Sequence, residues 1–175
     1  MDNIWEKCPI CPSEHYARQV SEMLSFVLLK LSVENSVKIS GFSLAILETE
    51  AIGTLVGTSI YMAPEVIQSQ LKVYSTKVDI YSLGLLMWEM WYGQRAFGDA
   101  ISPEVVFSWV CSGSRPVRRR GCKPPPFLWT QLMTQCWDPN PDKRPTSQNC
   151  MDTLTSLQVE LERISKFAAA RNKLQ

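Results

Sequence analysis

From Val78 to Tyr92, fifteen residues run almost wholly apolar, interrupted only by Asp79, Ser82, Gly84 and Glu89. A helix that is apolar nearly all round has no solvent face and belongs in the middle of a domain. It is also too short to cross a bilayer, which takes about 20 apolar residues. The chain of 175 residues is long enough to wrap one sizeable core around such a helix. Hydrophobic residues make up 45% and charged residues 20%, the balance of a globular protein.

Around that centre the pattern is mainly helical. Met1 to Ser13 reads as an irregular leader. Ala17, Val20, Met23, Leu24 and Val27 recur at helical spacing, so a helix is predicted over Tyr16 to Leu29. Val33 to Ile39 alternates around Asn35-Ser36, which predicts a short β-hairpin. Leu44 to Ile60 has no clear period and reads as a long loop. Met62 to Glu65 opens a short helix with Pro64 in its first turn. Pro103 to Cys111 is a further helix, with Ser102 placed to cap it. Phe127 to Trp137 is another, ended by Asp138-Pro139-Asn140-Pro141 because proline cannot continue the ladder. The last helix runs from Thr146 to Phe167. Met151, Leu154, Leu157, Leu161 and Ile164 are expected on its inner face.

Charge and cysteine usage exclude more than they specify. A net charge of +1 gives no sign of a nucleic-acid or membrane binder. Arg115, Arg118 to Arg120 and Lys123 read as a solvated basic loop between two helices. Met1 to Lys7 contains Asp2 and Glu6 and lacks the apolar core of a signal peptide, so the expected location is cytoplasmic. Six cysteines are too sparse for a secreted disulfide framework. Cys8 and Cys11 have zinc half-site spacing and His15 lies near, but no second pair supplies a fourth ligand. They read as ordinary loop thiols, and Cys111, Cys136 and Cys150 as core fillers. Trp88, Trp91, Trp109, Trp129 and Trp137 are expected as core anchors.

Three ordered segments resemble the protein kinase family. Gly57-Thr58-Ser59-Ile60-Tyr61-Met62-Ala63-Pro64-Glu65 looks like the end of an activation segment, with the A-P-E motif unaltered. Asp79-Ile80-Tyr81-Ser82-Leu83-Gly84, followed by Trp88-Glu89, looks like the central helix of the large lobe. Cys136-Trp137, then Asp138 to Lys143, then Arg144-Pro145-Thr146 has the spacing of tyrosine kinases and tyrosine-kinase-like serine/threonine kinases. The wording around Met62 favours the serine/threonine side. The resemblance covers Tyr16 to Phe167 and implies a mainly α, large C-terminal lobe with a small β-hairpin and no small lobe, followed by a tail over 168–175. It implies a buried Glu65–Arg144 ion pair tying the activation segment to the last helices. It also implies that Asp79, costly in an apolar helix unless hydrogen-bonded, accepts bonds from the catalytic-loop backbone.

The chemistry of that family needs a Gly-rich loop, a lysine paired with a helix glutamate, a catalytic-loop Asp and Asn, and a Mg²⁺-binding Asp. No Gly-rich loop or lysine strand occurs in the chain. Val37 to Ala45 matches the D-F-G region in frame, with Gly41 where the metal-binding Asp belongs and Ser43 in place of Gly. Phe42 remains, and it serves packing. The H-R-D loop is either replaced by Gln19-Val20-Ser21, with Phe26 at the Asn position, or deleted outright. The resemblance therefore implies ATP and Mg²⁺ by family, yet no catalytic, cofactor-binding or metal-binding residue in this chain. Two accounts stay open: a pseudokinase acting as a scaffold, or a partial sequence of an active serine/threonine kinase. Thr54 and Thr58 are the candidate phosphorylation positions, although the basic partner such a phosphate docks on is missing. Leu28, Leu29, Ile39 and Phe42 are expected to line an uncovered cleft floor that binds a protein partner.

Overall fold

A computed structural model describes residues 30–31, 37–38, 59–68, 74–117 and 121–172. The helix predicted over 16–29, the cleft-floor residues Leu28, Leu29, Ile39 and Phe42, and Thr54 and Thr58 lie outside the described residues. Two short strands, β1 (Lys30–Leu31) and β2 (Val37–Lys38), pair antiparallel with Lys30 opposite Lys38 and Leu31 opposite Val37. The Asn35-Ser36 turn expected between them lies outside the described residues.

The rest of the described chain is helices joined by loops. A 3₁₀ turn over Ser59–Tyr61 leads into α1 (Pro64–Gln68), and the buried helix is α2 (Lys77–Tyr92). Its inward residues are Ile80, Tyr81, Gly84, Leu85, Met87, Trp88 and Glu89. Gly93 ends it in the left-handed region, at φ 61° and ψ 30°, and donates its N–H to the Glu89 carbonyl at 2.9 Å. Glycine bears that conformation without a Cβ penalty.

Two shorter helices follow, the first packed on α1 and the 3₁₀ turn and the second on α2. The first, α3 (Pro103–Cys111), has Pro103 in its first turn and buries Val106 and Val110. Ser102 stands at its N-cap with extended backbone, but its hydroxyl accepts no cap bond. It hydrogen-bonds the Glu104 carboxyl instead, which holds that carboxyl below its usual range. The second, α4 (Phe127–Cys136), follows Pro124-Pro125-Pro126 and buries Trp129, Leu132, Met133 and Cys136 against α2. The approach is close enough to require Gly84. A Cβ there would stand 2.9 Å from the Cys136 Cβ and 3.1 Å from both the Met133 carbonyl oxygen and the Trp137 nitrogen.

A second 3₁₀ turn, Pro141–Lys143, delivers Arg144 and then α5 (Ser147–Asn172). Thr146 and Asn149 cap α5 reciprocally. The Asn149 N–H donates to the Thr146 hydroxyl at 3.1 Å, and the Thr146 N–H to the Asn149 Oδ1 at 3.2 Å. The inner face of α5 is Cys150, Leu154, Leu157 and Leu161, whereas Met151 and Ile164 are exposed, correcting the predicted stripe. At about 100° per residue, Met151 falls roughly 90° from the centre of that face. Ile164 lies beyond the reach of α4, about 15 Å long against about 39 Å for α5.

Of the tryptophans expected as anchors, Trp88, Trp129 and Trp137 are buried. Trp91 and Trp109 are half-buried, stacked near Trp129 and Phe97 with ring centroids 5.9 and 6.2 Å apart.

Candidate functional site

The described polar side chains converge where α1, the start of α2 and the loop before α5 meet. Arg144 arrives there on a turn shaped by short side chains. The Asp138 carboxylate accepts from the Asn140 N–H at 2.8 Å, and the Asn140 side chain accepts from the Asp142 N–H at 3.0 Å. Arg144 is 2% exposed, and its guanidinium forks onto Glu65, Nη1 to Oε1 at 2.6 Å and Nη2 to Oε2 at 2.8 Å. Nη1 also donates to the Lys77 carbonyl at 2.9 Å and Nε to the Asp138 carbonyl at 2.8 Å. In return the Lys77 ammonium donates to the carbonyls of Arg144 and Pro145. A planar fork on a carboxylate fixes orientation as well as charge. Here it ties the activation-segment end of the chain to both α2 and α5.

A second guanidinium supports the same spot. Arg115 and Arg144 both lie over the Tyr81 ring, 5.2 and 5.1 Å from its centroid. Arg115 donates from Nε to the Trp137 carbonyl at 3.0 Å and from Nη1 to the Ser114 carbonyl at 2.8 Å. Arg115 is thus half-buried and structural, which corrects its reading as part of a solvated basic loop. Arg118 to Arg120 lie outside the described residues. Burial pushes the Tyr81 phenol up to about 12, opposed by the two arginines.

The third element is a buried carboxyl that sequence reasoning did not single out as a site. Glu89 is 1% exposed, accepting from the Tyr61 hydroxyl at 2.8 Å and from the Ala96 N–H at 2.6 Å. Burial pushes its carboxyl up to about 7, opposed by the Ala96 and Tyr61 bonds and by the Arg95 charge. Burial and Glu89 together drive the Tyr61 phenol far above its ordinary value. The Ser82 hydroxyl donates toward the Tyr61 carbonyl at 2.9 Å, so two residues of α2 hold the 3₁₀ turn before A-P-E.

Asp79 lies at the opposite end of the same helix. It stands in the first turn of α2 and is exposed, although partial desolvation still raises its carboxyl. Of the two acids in the apolar helix, the one enclosed by protein is Glu89. A lone carboxylate deep in an apolar run is a signal for a buried partner, and that signal applied to Glu89 more strongly. The catalytic-loop backbone expected to bond Asp79, and Phe42, lie outside the described residues. Among the described residues no group of three or more His, Cys, Asp or Glu could hold a metal ion. No helix among them is long and apolar enough to cross a membrane.

A buried central helix, an activation-segment turn bonded to it and an arginine–glutamate clamp onto A-P-E define the helical lobe of a protein kinase. The chain matches the family described as protein tyrosine and serine/threonine kinase over residues 26–154, and it belongs to that family. It is 35% identical over 129 residues to the serine/threonine/tyrosine-protein kinase HT1 of Arabidopsis thaliana, covering 72% of this chain and 32% of that protein. It is 33% identical over 125 residues to the probable serine/threonine-protein kinase drkB of Dictyostelium discoideum, covering 71% and 17%. A dual serine/threonine and tyrosine protein kinase of Apis mellifera is 31% identical over 153 residues, covering 83% and 15%. The chain spans a third or less of the length of these relatives.

Proposed function

We infer that this kinase-family lobe works as a scaffold or interaction module and does not transfer phosphate. The observation that carries this reading is Gly41, which stands in the D-F-G frame where the family places its Mg²⁺-binding Asp. A glycine side chain offers no oxygen to a hard cation. Mg²⁺ with ATP, the family's usual pair, therefore does not fit this segment, and no step is derived through them. Ser43 replaces the following Gly of the same motif, so two letters of three have changed. The residues that hold the lobe together remain in place: Glu65 and Arg144 pair, Glu89 bonds Tyr61, and the Tyr81 ring lies under Arg144. Such a protein keeps a shaped surface while losing the charge neutralisation that phosphoryl transfer needs.

Its partner is a protein in the cytoplasm that docks through the apolar residues Leu28, Leu29, Ile39 and Phe42, which the sequence pattern assigns to a cleft floor. A second reading is favoured by the three relatives named above, each called a protein kinase: the chain is part of an active ATP-dependent serine/threonine protein kinase. Titration calorimetry with ATP and Mg²⁺, and phosphate transfer to a generic protein substrate, separate the two. No heat of nucleotide binding and no transfer are expected. Mg²⁺-dependent transfer by the purified protein would establish the second reading and sink the first.

A further inference from the structure

The junction of α4 and α5 carries two thiols that the proposed function does not use. Cys136 closes α4 and Cys150 lies in the first turn of α5. They meet in the core with their sulfurs 3.8 Å apart, and both are buried. A disulfide brings its sulfurs to about 2.05 Å, so the pair stands about 1.8 Å short of a bond. The segment between them contains Arg144 and its turn, which makes the two thiols the flanks of the clamp.

We propose that Cys136 and Cys150 form a redox-modification site, closing to an intramolecular disulfide when the chain meets a small peroxide. In the first step the Cys150 sulfur attacks one peroxide oxygen and the O–O bond breaks. Cys150 becomes a sulfenic acid, and the departing hydroxide takes the thiol proton as water. In the second step the Cys136 sulfur attacks the Cys150 sulfur, the S–S bond forms and the S–O bond breaks. The hydroxide released takes the Cys136 proton as a second water. Two electrons pass from the two thiols to the peroxide.

Cys150 goes first because of its place. It sits near the N-terminal end of a helix, where the dipole favours a thiolate, and Cys136 sits at a C-terminal end, where it does not. Burial pushes both thiols up, and at Cys150 the Cys136 thiol and the Lys77 ammonium oppose it. Burial also keeps peroxide out of the closed core, so the rate follows local opening of the connection between α4 and α5. The clamp that holds that connection shut therefore governs the reaction. Once formed, the disulfide ties both flanks of the Arg144 turn.

The test treats the folded 175-residue chain with hydrogen peroxide, alkylates the remaining thiols and maps peptides by mass spectrometry. The expected result is a Cys136–Cys150 link ahead of any other pairing, reversed by dithiothreitol. In Glu65→Gln, checked as folded by circular dichroism, the link should form about tenfold faster, the gain expected from a modestly weakened closed state. In Cys150→Ser no link involving Cys136 should appear. A different pairing overturns the proposal. So does oxidation confined to the half-buried Cys111 and Cys122, or a Cys136–Cys150 link seen only after unfolding in urea.

Discussion

At the scale of single residues, the two charged groups buried among the described residues behave oppositely. Arg144 is matched by Glu65 and by two carbonyls, so removing one partner strands the other in a dry site. Glu65→Ala is expected to cost about 3 kcal/mol, the low end for a buried pair because the Glu65 side chain is 23% exposed. Arg144→Lys should recover little of what Arg144→Ala loses, since an ammonium cannot span both carboxylate oxygens. Urea denaturation of the three variants checks both statements. Glu89 accepts from a phenol and an amide, and burial favours its protonated form. Its folded value of about 7 lies above the unfolded carboxyl value, so the folded state binds the extra proton between the two. Stability should therefore fall as pH rises from about 4.5 to about 7, by at most ~3 kcal/mol. Glu89→Gln keeps a group that can meet both Tyr61 and Ala96, and it should flatten that slope in thermal melts across the range.

At the scale of elements, backbone proximity decides more than propensity does. Gly84→Ala would gain about 1 kcal/mol of intrinsic helix preference in α2. Against that, the new methyl meets the Met133 carbonyl and the Trp137 nitrogen, backbone atoms that cannot swing aside. Overpacking of this kind costs about 1–3 kcal/mol, and with two rigid contacts the upper half applies, leaving a net loss of about 1–2 kcal/mol. Chemical denaturation reads it directly, and a stabilised variant would mean that α4 moves freely. Thr146→Ala should cost about 1 kcal/mol by removing one half of the reciprocal cap on α5.

These elements were legible in the sequence to unequal degrees. The bounds of α3 follow from Pro103 and the end of the apolar run, and α2 begins one residue ahead of its reading and ends where expected, at Tyr92 before Gly93. The face of α5 was read correctly at Leu154, Leu157 and Leu161 and wrongly at its two ends, where Met151 and Ile164 are exposed. Arg115 could not be placed because its role depends on a carbonyl 22 positions away. The suggestion that Glu65 meets Arg144 across 79 positions came from motif resemblance, which carries long-range pairing that spacing cannot.

At the scale of the whole molecule, the described helices share one core, and that has a measurable consequence. Trp88 on α2, Trp129 on α4 and Trp137 just beyond it are all buried, and Trp91 reaches across from α2 to bond the Lys123 carbonyl at 3.0 Å. These rings report on the same α2–α4 contact, while far-ultraviolet circular dichroism reports on all the helices, with α5 the longest of them. If α5 folds only because its Cys150, Leu154, Leu157 and Leu161 face has that core to rest on, the two signals cannot separate. Long helices with one apolar stripe draw most of their stability from packing. Tryptophan fluorescence and circular dichroism should therefore give coincident urea transitions with one midpoint. In Glu65→Ala both midpoints should shift down together, since the clamp joins α1, α2 and the entry to α5. A helical signal persisting after the fluorescence change is complete would show that α5 holds itself, and that the clamp positions it without being needed for its folding.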